Sequence, residues 1–234
     1  SSIFSSNISI SNQIYNENFE NNSYSGDITS AIIVHGGSNS YNYSLQGSNS
    51  SPKYWKQTIN NSLPNNVRSI SFWHKGGTQG SSDSFILDWR DQLNCGTNYI
   101  IWNNSENYYT AFTDNEAIVK WYVNGIEVTS IHNGQSSNID ILNTWTHHYI
   151  ELNSSKPFPE YLFWFLPKDL DTNYNEYGHD GYIDDIRYFS SSLNSDTISA
   201  LANNTLAERT LSGKEDGVII SADLSYSGGT NNDI

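Results

Sequence analysis

The chain has 234 residues and a formal net charge of −14, from 25 acidic and 11 basic side chains. This charge repels nucleic-acid phosphates and anionic membrane surfaces, so we expect neither as a partner, whereas it favours divalent cations. The 14% aromatic content supplies material for a large core, and the length suits a single β domain. No apolar run approaches the roughly 20 residues of a membrane-spanning helix, so no membrane insertion is expected.

The start of the chain indicates processing and an unusual first segment. The absence of methionine predicts that the chain begins at a cleavage site in a longer precursor or is a segment of one, and a removed signal peptide is the simplest explanation. We therefore expect a secreted protein, located outside the cell or at the cell surface. Residues 1–16 are polar with spaced isoleucines, which predicts an edge strand, a loose tail, or a strand donated to a neighbouring copy.

Residues 17–234 are predicted to form one domain of short strands separated by turn signals. The β-rich runs that define these strands are residues 31–35, 41–47, 68–75, 84–90, 98–102, 117–123, 145–152, 160–166, 182–189 and 217–226. Asn124 and Gly125 stand between two β-rich stretches. This pair predicts a two-residue hairpin turn of type I′.

One segment near the C-terminus has helical periodicity. Residues 194–206 offer Asn194 or Ser195 as the N-cap, and Ile198 and Leu201 lie on one side of the predicted helix. The run at residues 217–226 then returns to a β pattern. Together these features predict an all-β fold, an antiparallel β-sandwich with one short C-terminal helix.

A pair of carboxylates interrupts the alternating strand in GHDGYIDDIRYF, residues 178–189. Successive strand side chains point to opposite faces, so Asp184 and Asp185 cannot both face water if one side of the sheet is a core. Asp184 has the same period as Tyr182, Ile186 and Tyr188, which predicts that it faces inward. Asp185 is predicted to face outward beside the following arginine. The inward carboxylate requires a partner, because burying an unpaired charge is costly.

Several stretches resemble secreted carbohydrate-binding jelly rolls. ENFENNSYSG is similar to the opening of family 4-like carbohydrate-binding modules, YNYSLQG to their following strand, and SISFWHK to their next core strand. WTHHYIEL and GYIDDIRYF resemble the Trp-led strand and the closing strand. The closing strand and the helix behind it also resemble the C-terminal signature of laminin G-like, concanavalin-type jelly rolls. The resemblance covers residues 17–203 and implies a jelly-roll topology for the predicted sandwich.

The resemblance also implies a structural calcium ion. In family 4-like modules, the Glu of the opening Phe-Glu pair and an Asp of the closing pair bind calcium. The corresponding residues here are Glu20 and Asp184 or Asp185. Calcium takes about six to eight oxygen ligands, so carboxylates, backbone carbonyls and water would form a plausible site. The alternative is an exposed Asp pair at a bent strand.

A weaker second calcium site is predicted in KDLDTNYNEYGHD, where oxygen-bearing side chains recur at short intervals. Its candidate ligands are Asp169, Asp171, Asn173 and Asp180. Tyr174 occupies the position where such a loop needs glycine, so a solvated loop is the alternative.

Exposed aromatic rings are the groups on which sugars stack, although most aromatic side chains of a sandwich belong to the core. Tyr54, Trp55, Tyr108 and Tyr109 are predicted as the ligand-binding surface residues. No nucleophile elbow, phosphate loop or zinc-protease motif occurs, and the Glu-Asp-Glu set of concanavalin-type glucanases is missing. We therefore expect no enzymatic activity.

The sequence thus predicts a secreted, non-catalytic β-sandwich that binds carbohydrate or a cell-surface glycan and is stabilised by calcium. The alternative is a structural subunit of a self-assembling extracellular fibre or coat, whose partners are further copies of the chain. In that case residues 1–16 or 217–226 would complete a neighbour's sheet by strand donation. The low lysine content suits this alternative, because it leaves strand edges lightly protected by charge.

Overall fold

The structure is a computed structural model, and it describes residues 7–9, 13–17, 19, 27–29, 32–35, 43–47, 54–61, 64–76, 83–90, 98–103, 108–113, 117–129, 134–135, 144–156, 160–165, 181–203 and 218–220. These residues form seventeen β-strands and one α-helix. In chain order they are β1 Asn7–Ser9, β2 Gln13–Glu17, β3 Asp27–Thr29, β4 Ile32–His35, β5 Tyr43–Gln46, β6 Tyr54–Thr58, β7 Ser69–Lys75, β8 Asp83–Arg90, β9 Asn98–Asn103, β10 Tyr108–Thr113, β11 Ile118–Val123, β12 Ile126–Glu127, β13 Gly134–Gln135, β14 Thr146–Leu152, β15 Tyr161–Trp164, β16 Tyr182–Phe189, α1 Ser195–Ala202 and β17 Val218–Ile220.

Two large antiparallel sheets contain most of these strands. The seven-stranded sheet has the order β13-β10-β9-β8-β15-β6-β3. The eight-stranded sheet has the order β12-β11-β14-β7-β16-β5-β4, and β2 also pairs with β16. β1 and β17, near the two ends of the chain, form a separate antiparallel pair. The predicted antiparallel β-sandwich with one short C-terminal helix is confirmed.

The core lies between the two sheets and consists mainly of aromatic and branched aliphatic side chains. Phe72 of β7 meets Trp164 of β15 edge to face, with ring centroids 5.0 Å apart. Trp164 in turn stacks on Trp55 of β6 at 6.2 Å, and Phe19 meets Trp55 edge to face at 5.6 Å. All four side chains are buried. Burying a side chain of this kind stabilises the fold by roughly 1.5–3 kcal/mol.

The middle strands of the eight-stranded sheet are buried on both faces. Every residue of β7 except its last is buried, and β14 and β16 show the same pattern apart from one residue each. Part of the outer face is covered by α1, since Ala200 and Leu201 pack against Phe189. The Tyr149 hydroxyl of β14 accepts a hydrogen bond from the Leu193 backbone N–H at 2.8 Å. The buried polar side chains on the outer face of β7, β14 and β16 are therefore removed from water.

The helix α1 begins where the sequence predicts. The Asn194 side chain accepts a hydrogen bond from the Thr197 backbone N–H at 2.9 Å, which makes Asn194 the N-cap. Ile198 and Leu201 are buried on the side that faces the sheet. The helix ends at Ala202, and residues 204–206 of the predicted helix lie outside the described part of the chain.

The N-terminal segment contributes a strand to its own chain. β2 pairs antiparallel with β16 over Ile186 to Phe189. This pairing supplies hydrogen-bonding partners to an edge of β16 that β5 leaves unpaired beyond Ile183. Of the predicted late strand at residues 217–226, the structure describes Val218–Ile220. No helix in the described residues is long and apolar enough to cross a membrane.

The predicted hairpin turn joins β11 to β12. Asn124 and Gly125 have φ values of 49° and 81°, as a type I′ turn requires at both central positions. The Asn124 side-chain oxygen accepts a hydrogen bond from the His147 backbone N–H at 2.9 Å. The turn also lies against α1, because a Cβ at Gly125 would be 3.3 Å from the Cβ of Ala202.

Replacing Gly125 by alanine should therefore destabilise the fold. The Gly125→Ala variant combines a left-handed backbone with a tight contact to α1, so we expect its free energy of unfolding to fall by about 1–2 kcal/mol. Urea unfolding of both proteins measures this difference. Ile126→Ala is the control, because Ile126 in the same hairpin is 68% exposed. An unchanged unfolding midpoint in Gly125→Ala would contradict the turn geometry.

Candidate functional site

The closing strand β16 contains a β-bulge at the two adjacent aspartates. Its register against β7 shifts between Asp184 and Arg187, so that Asp185 and Ile186 both lie opposite Phe72. Asp185 has a φ of 46°, in the left-handed region that aspartate tolerates better than most residues. The extra residue reverses the alternation of side chains along the strand. Two residues an even number of positions apart therefore point to opposite faces when the bulge lies between them.

Because of the bulge, Asp184 lies on the face opposite to the predicted one. Phe72 of β7 points to the core, so its neighbour Trp73 points away from it, and Asp184 lies opposite Trp73. Beyond the bulge, Ile186 and Tyr188 are part of the core. The prediction that Asp184 shares their face is therefore wrong. The second aspartate, Asp185, lies beside Arg187 as predicted, and Arg187 pairs with Ser71 on the outer face, but the side chain of Asp185 is covered rather than open to water.

The charge of Asp185 is balanced within the strand itself. The buried Arg187 donates from Nε to Asp185 Oδ1 at 3.0 Å and from Nη2 to Oδ2 at 3.3 Å. Its Nη1 donates to the Gln13 side-chain oxygen of β2 at 3.2 Å. The Asp185 backbone N–H donates to Asp184 Oδ1 at 2.7 Å. A two-pronged Arg–carboxylate contact of this kind is the strongest pairing available to a buried carboxylate.

A third carboxylate, Glu17, lies at the junction of β2 and β16. It stands opposite Ile186, immediately after the bulge. One oxygen accepts a hydrogen bond from the Phe19 backbone N–H at 3.0 Å, and the other accepts one from the Tyr15 hydroxyl at 3.2 Å. The sequence analysis selected Glu20 from the same ENFE run and missed Glu17. The sequence signal was the alternation of the residues before Glu17, which predicts a strand that ends at the first glutamate of the run. In the structure this strand pairs with the closing strand.

Of the predicted first calcium site, the structure describes Asp184 and Asp185 but not Glu20. Both oxygens of Asp185 are bound by Arg187, which supplies the neutralising charge that calcium was predicted to supply. Among the residues that the structure describes, no group of three or more His, Cys, Asp or Glu side chains is arranged to hold a metal ion. Glu20 and the predicted second-site residues Asp169, Asp171, Asn173 and Asp180 lie outside those residues. Calcium binding stays a prediction.

The predicted sugar-stacking residues are placed differently from expectation. Trp55 and Tyr109 are fully buried, so their prediction as exposed ligand platforms is wrong. Both lie on strands and point into the core, where the Tyr109 hydroxyl is 2.7 Å from Nδ1 of His74. The side chains of Tyr54 and Tyr108 are not among those described.

A different group of side chains forms a half-buried aromatic and polar surface on the outer face of the eight-stranded sheet. Tyr182 of β16 lies between Gln46 of β5 and Lys75 of β7 in the strand register. Trp145, which precedes β14, lies next to Lys75, because the following residue Thr146 pairs with His74. We call Gln46, Lys75, Trp145 and Tyr182 the outer row. All four are partly exposed.

The outer row presents two rings with polar groups beside them. The Trp145 and Tyr182 ring centroids are 6.5 Å apart and the ring planes are inclined at 58°. The Lys75 ammonium lies 5.7 Å from the Tyr182 ring centroid, and the Gln46 amide donates to the Tyr182 hydroxyl at 3.2 Å. The sequence analysis missed this surface, because an unbroken period of two places Tyr182 on the same face as the core residue Tyr188.

The adjacent histidines of β14, His147 and His148, point to opposite faces. His147 packs against Trp73 on the outer face, with ring centroids 5.1 Å apart. His148 points to the core, where it stacks on Phe72 at 4.8 Å and meets Tyr109 edge to face at 4.2 Å. The two rings therefore cannot bind one metal ion together.

His148 is held in its neutral form. Trp121 Nε1 donates to its Nδ1 at 3.3 Å, and an indole N–H can only donate, so Nδ1 must carry a lone pair. Burial, and secondly the charge of His147, hold the pKa of His148 well below its usual value.

We expect this histidine to make the fold sensitive to mild acid. In the unfolded chain His148 binds a proton near pH 6.5, whereas in the folded chain it binds one only at lower pH. Stability should be unaffected by this group above pH 6.5 and should fall as the pH drops below it, by up to about 1.4 kcal/mol per pH unit. Urea unfolding of the wild type and His148→Gln between pH 5 and 8 measures this slope. Equal slopes in the two proteins would contradict the neutral, buried histidine.

Removing the partner of Arg187 should destabilise the fold strongly. Asp185→Asn retains the size of the side chain and a residue that tolerates positive φ, but it removes the negative charge that Arg187 contacts through Nε and Nη2. We expect a loss of about 3–5 kcal/mol in the free energy of unfolding, measured by urea denaturation. Lys120→Gln is the matched control, because the Lys120–Glu151 pair at 3.8 Å is partly exposed and should contribute at most about 1 kcal/mol. Similar losses in both variants would contradict the proposed role of the buried pair.

Comparisons with known proteins give distant structural similarity. No protein-family model and no curated protein matches the chain. The botulinum neurotoxin serotype D binding domain has a TM-score of 0.49 and 16% identity, covering 86% of this chain and 53% of that chain. A Trypanosoma rangeli sialidase has a TM-score of 0.49 and 10% identity, covering 82% of this chain and 33% of that chain. The chain thus spans about half or less of each of these structures, and its similarity to both is distant.

Proposed function

We propose that the chain is a secreted, non-catalytic β-sandwich that binds carbohydrate through the outer row. The observation that carries the proposal is the pair of partly exposed rings, Trp145 and Tyr182, inclined at 58° and flanked by an amide and an ammonium group. The family 4-like resemblance of the sequence supports the same class of ligand. The location differs from the residues that the sequence analysis selected.

The chemistry of the outer row suits a sugar ring. The C–H groups of a pyranose pack against an aromatic face, while its hydroxyl groups need donors and acceptors at the ring margin. The Gln46 amide supplies both kinds of group, and the Lys75 ammonium supplies donors. Two rings at an angle form a corner that contacts a sugar from two sides.

The position of the outer row on the sheet favours binding. Each residue comes from a different strand or from the start of one, so the spacing is fixed by backbone hydrogen bonds rather than by a loop. Side chains held by a rigid scaffold lose little conformational entropy when a ligand binds. The next residues along the same face, Trp73, Asp184 and His147, are buried. The outer row is thus accessible beside a covered part of the same face.

The neighbouring carboxylates support a binding role rather than hydrolysis. Asp185 is bound by Arg187, and both oxygens of Glu17 accept hydrogen bonds. A glycoside hydrolase needs two carboxyl groups that face the sugar across the scissile bond. The alternative of a fibre subunit gains no support from the described pairing, because β2 already pairs with β16 of its own chain.

Carbohydrate binding and its location can be tested together on a glycan array, followed by titration calorimetry of a bound glycan. We expect Tyr182→Ala and Trp145→Ala each to weaken binding about tenfold or more, because each removes a stacking face. Tyr122→Ala is the matched control, since Tyr122 is a partly exposed tyrosine on β11 of the same sheet.

Two further results decide the proposal. A folded wild-type protein that binds no glycan on the array would overturn the carbohydrate proposal. The same titration in EGTA tests the calcium prediction. Calcium-dependent affinity or melting temperature would support a structural calcium ion, and identical values with and without EGTA would count against it.

A further inference from the structure

Lys75 is the cationic group of the outer row, and among the described residues it forms no ion pair. Its ammonium contacts the Tyr182 ring at 5.7 Å. The ion pairs recorded among the described residues join Lys120 to Glu151 and Arg187 to Asp185, and neither involves Lys75. Within that part of the chain, Lys75 is therefore a partly exposed cation whose recorded contact is an aromatic face.

This cation stands out against the charge of the whole molecule. The chain carries a net charge of −14, so an ammonium that forms no ion pair among the described residues is not explained by a general positive potential. The nearest carboxylate on the same face of β16, Asp184, is fully buried and accepts a hydrogen bond from the Asp185 backbone. The accessible charge of the outer row is therefore positive.

We infer that the outer row binds an anionic sugar, a pyranose that carries a carboxylate or a sulfate group. The inference rests on the proposed carbohydrate-binding function and adds the class of ligand. The sugar ring packs on Tyr182 and Trp145, its acidic group lies at the Lys75 ammonium, and the Gln46 amide bonds a hydroxyl group.

The distances allow these contacts to form at once. A sugar ring in contact with the Tyr182 face lies about 4 Å from it. The Lys75 ammonium lies over that same ring, 5.7 Å from its centroid, so a sugar stacked on this face displaces the ammonium towards the ring margin, where the flexible lysine side chain still reaches an exocyclic acid group. An ammonium group donates to carboxylate and sulfate oxygens alike. The geometry thus favours a negatively charged sugar over a neutral one, and it suits a carboxylate and a sulfate group equally.

The test compares acidic glycans with their uncharged counterparts. Galacturonan oligosaccharides are titrated against their methyl esters, and sulfated galactan oligosaccharides against unsulfated ones, with the full chain at low and high salt. At low salt we expect the wild type to prefer one of the acidic glycans about tenfold, and we expect the preference to shrink at high salt. The two arms distinguish a carboxylate from a sulfate ligand.

Variants of Lys75 assign the preference to this residue. Lys75→Gln should lose about tenfold in affinity for the acidic glycan and clearly less for its uncharged counterpart, because the glutamine amide still donates to hydroxyl groups but carries no charge. Lys75→Arg should retain the preference, because it keeps the charge. Lys120→Gln, which removes a lysine from β11 of the same sheet, should match the wild type.

The outcomes separate this inference from the proposed function. Binding of neutral glycans alone, lost in Tyr182→Ala, would retain the proposed function and overturn the anionic ligand. A preference for acidic glycans that survives in Lys75→Gln would also overturn it. No binding of any glycan would overturn the proposed function itself.

Discussion

The buried ion pair between Asp185 and Arg187 is the interaction on which the arrangement of the eight-stranded sheet depends. It lies within the closing strand, at the point where one extra residue reverses the direction of the side chains. On one edge of β16 the partner changes there from β5 to β2. The N-terminal strand, the closing strand and the exposed position of Tyr182 all follow from this single irregularity.

Two unfavourable features occur together at the bulge, both in Asp185. A left-handed backbone costs a residue with a side chain about 1–2 kcal/mol, and burying an unpaired charge costs more. Asp185 carries both features, and the bidentate contact with Arg187 offsets them in one geometry. Arg187, two residues further along the same strand, therefore balances the charge of one of the two aspartates that resemble calcium ligands.

The sequence predicted those features that depend on local rules. Alternation located β7, β14 and β16, Asn124 and Gly125 predicted the hairpin, and Asn194 predicted the start of α1. It did not predict the bulge, because a period of two contains no sign of an inserted residue. It also could not tell which aromatic residues are exposed, since Trp55 and Trp145 differ in their tertiary surroundings rather than in their local pattern.

The central claim is that the bulge turns Tyr182 towards solvent and Tyr188 towards the core. The two residues are six positions apart in one strand, and a regular strand would place them on the same face. Hydroxyl-radical footprinting of the native chain, read by mass spectrometry, tests this claim most directly. We predict oxidation of Tyr182 and protection of Tyr188, with both tyrosines oxidised alike after unfolding in urea. Equal oxidation of the two tyrosines in the native protein would contradict the bulge and the outer row that depends on it.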